Sequence, residues 1–101
     1  MIQIKRIKNQ DGLYYYYFEN TNNTHNELID FLHNSNFDED SCNEIDTPFL
    51  ELNGECLYVK NSHMKIHFFI CNNHTWMLID SELKQEDIIA LIQKNFNFPS
   101  G

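Results

Sequence analysis

Three stretches of the chain are rich in hydrophobic residues with the spacing of β-strands, and a polar turn signal interrupts each stretch. The stretches are residues 2–18, 49–59 and 64–79, with turns at Asp11-Gly12, Asn53-Gly54 and Asn72-Asn73. Asp-Gly and Asn-Gly pairs supply the two positive-φ positions of a type I′ turn, which joins two strands directly. The sequence therefore predicts three β-hairpins.

The third stretch is apolar on both of its alternating faces. One face holds Ile66, Phe68, Ile70, Thr75, Met77 and Ile79, and the other holds His67, Phe69, Cys71, His74, Trp76 and Leu78. Strands that are apolar on both sides are typical of a sheet covered on both faces. We therefore expect the third hairpin to be central and to have both of its faces covered.

Two segments have the spacing of amphipathic helices. Thr24 and Glu27 form a Thr-x-x-Glu capping box, and the apolar residues that follow predict a helix over 25–34. A second helix is expected to begin near Asp80-Ser81, either of which can cap it. Its apolar stripe comprises Leu83, Ile88, Ile89, Leu91, Ile92 and Phe96, and Pro99 lies beyond its end. Residues 35–47 are polar and acidic, and we interpret them as a loop.

These elements predict an α+β fold in the order β-β-α-β-β-β-β-α. A small antiparallel sheet built from about three hairpins carries two helices packed on it. A length of 101 residues fits a single domain over 1–101, and an apolar content of 42% supplies its core. No apolar run approaches the ~20 residues of a membrane helix. Because the start of the chain lacks a signal-peptide pattern, the expected location is cytoplasmic.

Charge is distributed unevenly along the chain. The net charge is −8, from 7 basic and 15 acidic residues, yet residues 1–18 balance to +2. Residues 19–56 contain no lysine or arginine and carry ten carboxylates. A concentrated negative patch accelerates binding to a basic partner and can imitate the charge of nucleic acid. A surface of solvating charges, which only keeps the protein in solution, would have the same composition.

The acidic block therefore predicts a small protein-binding inhibitor of the immunity, antitoxin or anti-defence type. Its partner would be a basic protein, such as a toxin nuclease or another nucleic-acid enzyme. Two tyrosines of the first hairpin are candidate aromatic anchors for the same contact. The predicted partner-binding residues are Glu27, Asp30, Asp38, Glu39, Asp40, Glu44, Asp46, Tyr15 and Tyr17.

An alternative function comes from the first hairpin, in which basic and aromatic residues interleave. With a turn at Asp11-Gly12, Arg6 faces Tyr17 and Lys8 faces Tyr15 on one side of the ribbon. Such a face can hold phosphates and stack bases, although the acidic remainder of the chain opposes nucleic-acid binding. Cross-strand packing alone would produce the same pattern. A homodimer formed at a sheet edge is compatible with either function.

The sequence offers little for catalysis. Cys71 and His74 close the third hairpin and are a candidate thiol–imidazole pair, but no third group orients them at a recognisable spacing. His63 and His67 lie four apart on an expected strand, about 13 Å, which is too far to share a metal ion. The acidic segment at 38–44 lacks the glycine and the terminal glutamate of a calcium loop. We therefore expect no enzyme activity, no metal site and no cofactor.

Overall fold

The computed structural model describes residues 1–46 and 55–98, and the side chains of 44–46 and 55 are not described. The described residues form six strands and three helices. In chain order the elements are β1 (Ile2–Gln10), β2 (Leu13–Glu19), α1 (Thr24–Asn34), α2 (Glu39–Asp46), β3 (Glu55–Lys60), β4 (Met64–Ile70), β5 (His74–Ser81), α3 (Gln85–Asn95) and β6 (Phe96–Asn97).

The strands form one sheet in the order β3-β4-β5-β2-β1-β6. Neighbours are antiparallel except β6, which runs parallel to β1. The α+β class is confirmed. The predicted antiparallel sheet with two helices agrees in outline and differs in detail, because the short strand β6 is parallel and the described residues form three helices. The expected first strand of the second hairpin and its turn at Asn53-Gly54 lie outside the described residues.

The first hairpin has the predicted turn and the predicted register. Asp11 and Gly12 have φ angles of 56° and 82°, as a type I′ turn requires. Arg6 pairs with Tyr17 and Lys8 pairs with Tyr15. The pairing of β1 with β2 shifts register between Ile4 and Arg6. Irregularities of this kind locally bend the strand that carries them. Since cross-strand partners share a face, the basic and aromatic side chains project together.

Helix α1 starts at the predicted place, but not through a capping box. Thr24 is the first helical residue, and its Oγ1 accepts a hydrogen bond from the Thr21 N–H at 2.7 Å. The carboxylate of Glu27 instead lies 3.1 Å from the N-terminal ammonium of Met1. The helix ends at Asn34, and Asn36, one residue past the C-cap Ser35, has a φ of 65° in the left-handed region that commonly follows a helix end.

Residues 39–46 form helix α2 where we expected a loop. The segment is too polar to show a helical stripe, and Cys42 is its only described residue that is buried. The helix is initiated locally, because Asp38 Oδ1 accepts a hydrogen bond from the Ser41 N–H at 2.8 Å. Glu39 and Asp40 occupy the first turn, where negative charge is favourable to the helix dipole.

The last helix begins later than predicted. Asp80 and Ser81 continue β5 and pair with β4, so neither of them caps a helix. The helix starts at Gln85, and Leu83 precedes it with 37% of its surface exposed. The chain then enters β6, where buried Phe96 lies 5.0 Å from the ring of Phe31 and joins the helical layer to the sheet.

All three helices contribute to a core on one face of the sheet. The core cluster includes Leu28 of α1, Cys42 of α2 and Ile92 of α3, together with strand residues such as Tyr16 and Met77. β4 and β5 are central in the sheet, as predicted. The described helices pack on only one face of these strands, and on the other face Phe69 is 39% exposed while Leu78 is buried, so the expected second cover is not seen among the described residues.

Candidate functional site

The side of the sheet that faces away from the three described helices is the most distinctive surface among the described residues, and we call it the open face. It follows from the registers of β1 to β5, which place alternate residues of each strand on the side away from the core. Its residues are Arg6, Lys8, Gln10, Leu13, Tyr15, Tyr17, Glu19, Cys56, Tyr58, Lys60, Lys65, His67, Phe69, His74, Trp76, Leu78 and Asp80.

Aromatic side chains occupy four adjacent strands of the open face. Tyr17 lies opposite Trp76, and Trp76 lies opposite Phe69. The rings of Tyr17 and Trp76 are 5.0 Å apart, and the guanidinium carbon of Arg6 stands 5.3 Å from the centre of the Tyr17 ring. Phe69 is 39% exposed and Tyr58 is 53% exposed. Large aromatic groups are therefore available to a ligand on this face.

A shallow cavity of about 290 Å³ crosses the open face from β1 to β4. It is lined by Lys8, Gln10, Tyr15, Phe69 and Trp76. Its walls are thus mainly aromatic, and one cation stands at its β1 end. Sites for planar organic groups combine apolar walls with a few polar groups that fix orientation, as this one does.

Basic residues stand at both edges of the open face. Arg6 and Lys8 lie on β1, and Lys60 and Lys65 oppose each other on β3 and β4. All four are exposed. The ion pairs found among the described residues, Met1–Glu27 and His33–Glu39, involve none of these four cations. Two lysines directly opposite each other repel, so an anion bound between them would be stabilised.

Acidic side chains are correspondingly scarce on the open face. Two of the eleven described carboxylates, Glu19 and Asp80, project from it, against four of the seven basic side chains. Glu19 ends β2, and Asp80 lies near the end of β5. The described side chains of the open face therefore sum to a charge of +2, whereas the net charge of the whole chain is −8.

The predicted acidic contact residues lie on the helices. Asp30, Asp38, Glu39 and Asp40 are exposed on α1 and at the start of α2, and we call these four the acidic helical segment. Glu44 and Asp46 belong to α2, but their side chains lie outside the described residues. Tyr15 and Tyr17 project from the opposite layer, so the structure does not unite the predicted anchors and acids in one surface.

Several of these acids already have local roles. The backbone N–H of Ser41, and then its hydroxyl, hydrogen-bond to Asp38 and lower the pKa of that carboxyl. Glu39 lies 3.2 Å from the imidazole of His33, and Glu27 pairs with the N-terminal ammonium. Burial, with the Glu39 and Asp38 charges adding to it, raises the pKa of the Cys42 thiol.

The candidate thiol–imidazole pair is held by backbone and ring contacts. The N–H of Cys71 donates to the carbonyl of His74 at 2.9 Å, and Asn20 Nδ2 donates to the Cys71 carbonyl at 2.8 Å. The imidazole of His74 packs against the ring of Tyr17 at 5.4 Å. No group of three His, Cys, Asp or Glu side chains in residues 1–46 and 55–98 is placed to hold a metal ion.

Sequence reasoning missed the β3, β4 and β5 part of the open face. The alternation that places Phe69 and Trp76 on one side was visible, but it was interpreted as a second covered face. Lys60 and Lys65, at the ends of two strands in the same alternation, were a signal against that interpretation, because charged side chains are rarely buried unless paired.

None of the helices in the part of the chain that the structure describes is long and apolar enough to cross a membrane. The chain matches no protein-family model, no curated protein and no solved structure.

Proposed function

We propose that this protein binds single-stranded nucleic acid on the open face of its sheet. The observation that carries the proposal is the coincidence of exposed aromatic rings with a sheet face on which four described basic side chains stand against two described acidic ones. Single-stranded bases stack on aromatic side chains, and phosphates pair with lysine and arginine. A protein partner would use the aromatic groups as well, but it has less need for unpaired cations at both edges.

The net charge of −8 does not oppose this proposal as strongly as composition suggests. Helix axes lie roughly 10 Å from the surfaces they pack on, and the exposed carboxylates project farther still. The exposed acids of α1 and α2 stand on the helical layer behind the sheet, and charges that interact through solvent over more than about 8 Å are largely screened at physiological ionic strength. The described charges nearest to a strand bound on the open face are therefore those of the face itself, four basic side chains and two acidic ones.

The single tryptophan of the chain makes the proposal directly testable, because Trp76 lines the cavity. We expect (dT)8 to quench its fluorescence saturably at 50 mM salt, since a base stacked on the indole changes its environment. Phe69→Ala should weaken binding about 5- to 150-fold, which corresponds to the 1–3 kcal/mol typical of one stacked base. Leu83→Ala is a matched control, because Leu83 is also apolar and similarly exposed, at 37% against 39%.

Three results would contradict the proposal. One is the absence of saturable binding to any single-stranded oligonucleotide at low salt. A second is equal affinity for a duplex of the same length, whose bases are stacked on each other and unavailable to Phe69 and Trp76. Equal weakening by Phe69→Ala and Leu83→Ala would also contradict it.

A second candidate function is inhibition of a basic protein, such as a toxin nuclease, through the acidic helical segment. The exposure of Asp30, Asp38, Glu39 and Asp40 supports it, since clustered exposed carboxylates accelerate association with a basic surface. Under this proposal a basic protein from the source cells binds the purified chain, survives nuclease treatment and dissociates at high salt.

The test must separate contact from folding, because Asp38 also caps α2. Glu39→Gln with Asp40→Asn keeps the cap and removes two charges, and it should slow association with the captured protein. Glu86→Gln with Asp87→Asn, on exposed positions of α3, is the matched control. Equal association rates for the two double variants would count against this candidate.

A further inference from the structure

A ligand could run along the strands of the open face or across them, and the distribution of residues decides between these paths. Along β2 a strand would pass Tyr15 and Tyr17 and then meet the carboxylate of Glu19. Along β5 it would pass Trp76 and end at Asp80. Both paths bring phosphates against exposed carboxylates, and like charges repel.

Across the strands the order of side chains is different. One cross-strand row reads Arg6, Tyr17, Trp76 and Phe69, from β1 to β4. A ligand on this path meets an aromatic residue on β2, β5 and β4 and then reaches Cys56 on β3. The cavity follows the same direction, because its lining comes from β1, β2, β4 and β5.

The neighbouring row extends this path to the far edge of the sheet. It reads Lys8, Tyr15, Leu78, His67 and Tyr58, and the rings of Tyr58 and His67 stack at 5.6 Å. Lys60 and Lys65 stand beside Tyr58 and His67 on the same two strands. The path therefore begins and ends at basic residues, and at its β3 end two lysines stand against the one carboxylate of Asp80, which lies opposite Lys65 on β5.

We infer that a single strand lies across the β-strands, from Arg6 and Lys8 at the β1 edge to Lys60 and Lys65 at the β3 edge. This inference rests on the proposed function. Four strands carry open-face aromatic residues, namely β2, β5, β4 and β3, so one base per strand gives a site of four nucleotides. Four strand spacings of about 4.8 Å separate β1 from β3, so the track is roughly 19 Å long.

The test is a length series, (dT)2 to (dT)8, measured with the wild-type protein by tryptophan quenching. Affinity should rise steeply up to four nucleotides and afterwards only in proportion to the number of binding registers. Lys60→Gln with Lys65→Gln should weaken (dT)4 binding roughly ten- to thirtyfold at 100 mM salt, since two phosphate contacts contribute about 1.4 to the salt slope. Lys84→Gln with Lys94→Gln, both exposed near or on α3, is the charge-matched control.

The outcomes separate the inference from the function on which it rests. If (dT)4 binds the Lys60/Lys65 variant as tightly as wild type, the strand does not reach the β3 edge and the inference is overturned. A steep rise in affinity beyond four nucleotides overturns it too. In both cases the proposed function stands, because neither result removes the preference of the wild-type protein for single strands or the effect of Phe69→Ala.

Discussion

The salt dependence of binding is the most informative property to measure, because the structure supplies its magnitude. Four cations on the open face are exposed and unpaired among the described residues: Arg6, Lys8, Lys60 and Lys65. For single strands each neutralised phosphate contributes about −0.7 to the slope of log K against log salt. Four contacts give a slope of about −2.8, or a loss of affinity of roughly fiftyfold between 50 and 200 mM salt.

The perturbation is Arg6→Gln with Lys8→Gln, which removes both cations of the β1 edge and leaves the aromatic residues in place. The slope should fall to about −1.4, so the same change of salt should cost only about sevenfold in affinity. Loss of the Arg6–Tyr17 contact costs roughly 0.5–1 kcal/mol of folding stability, as is typical of exposed cation–π pairs. That loss leaves the fold intact.

The assay is fluorescence anisotropy of labelled (dT)8 at four salt concentrations, with Lys84→Gln/Lys94→Gln as the control of equal charge. The control should keep the wild-type slope, because its lysines lie near or on α3 and not on the sheet. The reasoning is refuted if the wild-type slope is near zero. It is also refuted if the β1-edge variant and the control change the slope equally, because the helical lysines would then contribute as much as the open face.

Three further predictions concern the core and its titratable groups. Phe96→Ala should destabilise the protein by about 3–5 kcal/mol in urea denaturation, because its buried ring joins β6 to Phe31; a midpoint equal to that of the exposed-site variant Phe69→Ala would contradict this. Cys42 should react with iodoacetamide at least about tenfold more slowly than exposed Cys56, and equally fast in urea; equal rates in the folded protein would be inconsistent with its burial. Burial, and then Tyr14, raises the pKa of Tyr16 to about 12 from 10.0. The folded protein favours the neutral phenol, so the contribution of Tyr16 to the free energy of unfolding is complete below pH 10. It falls by about 3 kcal/mol as the pH rises through 12. Tyr16→Phe should abolish that fall, and parallel curves of unfolding free energy against pH for the variant and the wild type would disprove the prediction.

The predictions that the structure confirmed concern contacts between residues close together in the chain. Asp11-Gly12 is followed by a strand in the expected register because a two-residue turn leaves only one pairing of its flanking residues. Alternation likewise identified which residues of β4 and β5 share a face, since successive side chains on a strand point to opposite sides. Both signals act between neighbours in the chain, where geometry is set by covalent connection.

Two predictions were wrong, the loop over residues 35–47 and the start of the last helix, and each has a physical reason. Helix α2 has almost no apolar stripe, so its existence depends on the Asp38 cap and on packing of Cys42 against the core. The predicted start of α3 failed because Asp80 and Ser81 gain ladder partners on β4, which outweigh a cap. The sequence of one segment does not show whether its residues will cap a helix or pair with a neighbouring strand.

The location of the candidate site depends on contacts between strands that are far apart in the chain. The sequence placed Arg6 beside Tyr17, but it did not show that Trp76 and Phe69 continue the same row. The pairing of β2 with β5 is a long-range contact, because 54 residues lie between the end of β2 and the start of β5. It also did not show which sheet face the helices leave uncovered. Core burial drives all three described helices to one side, and the aromatic residues and unpaired cations of the other side then form one surface.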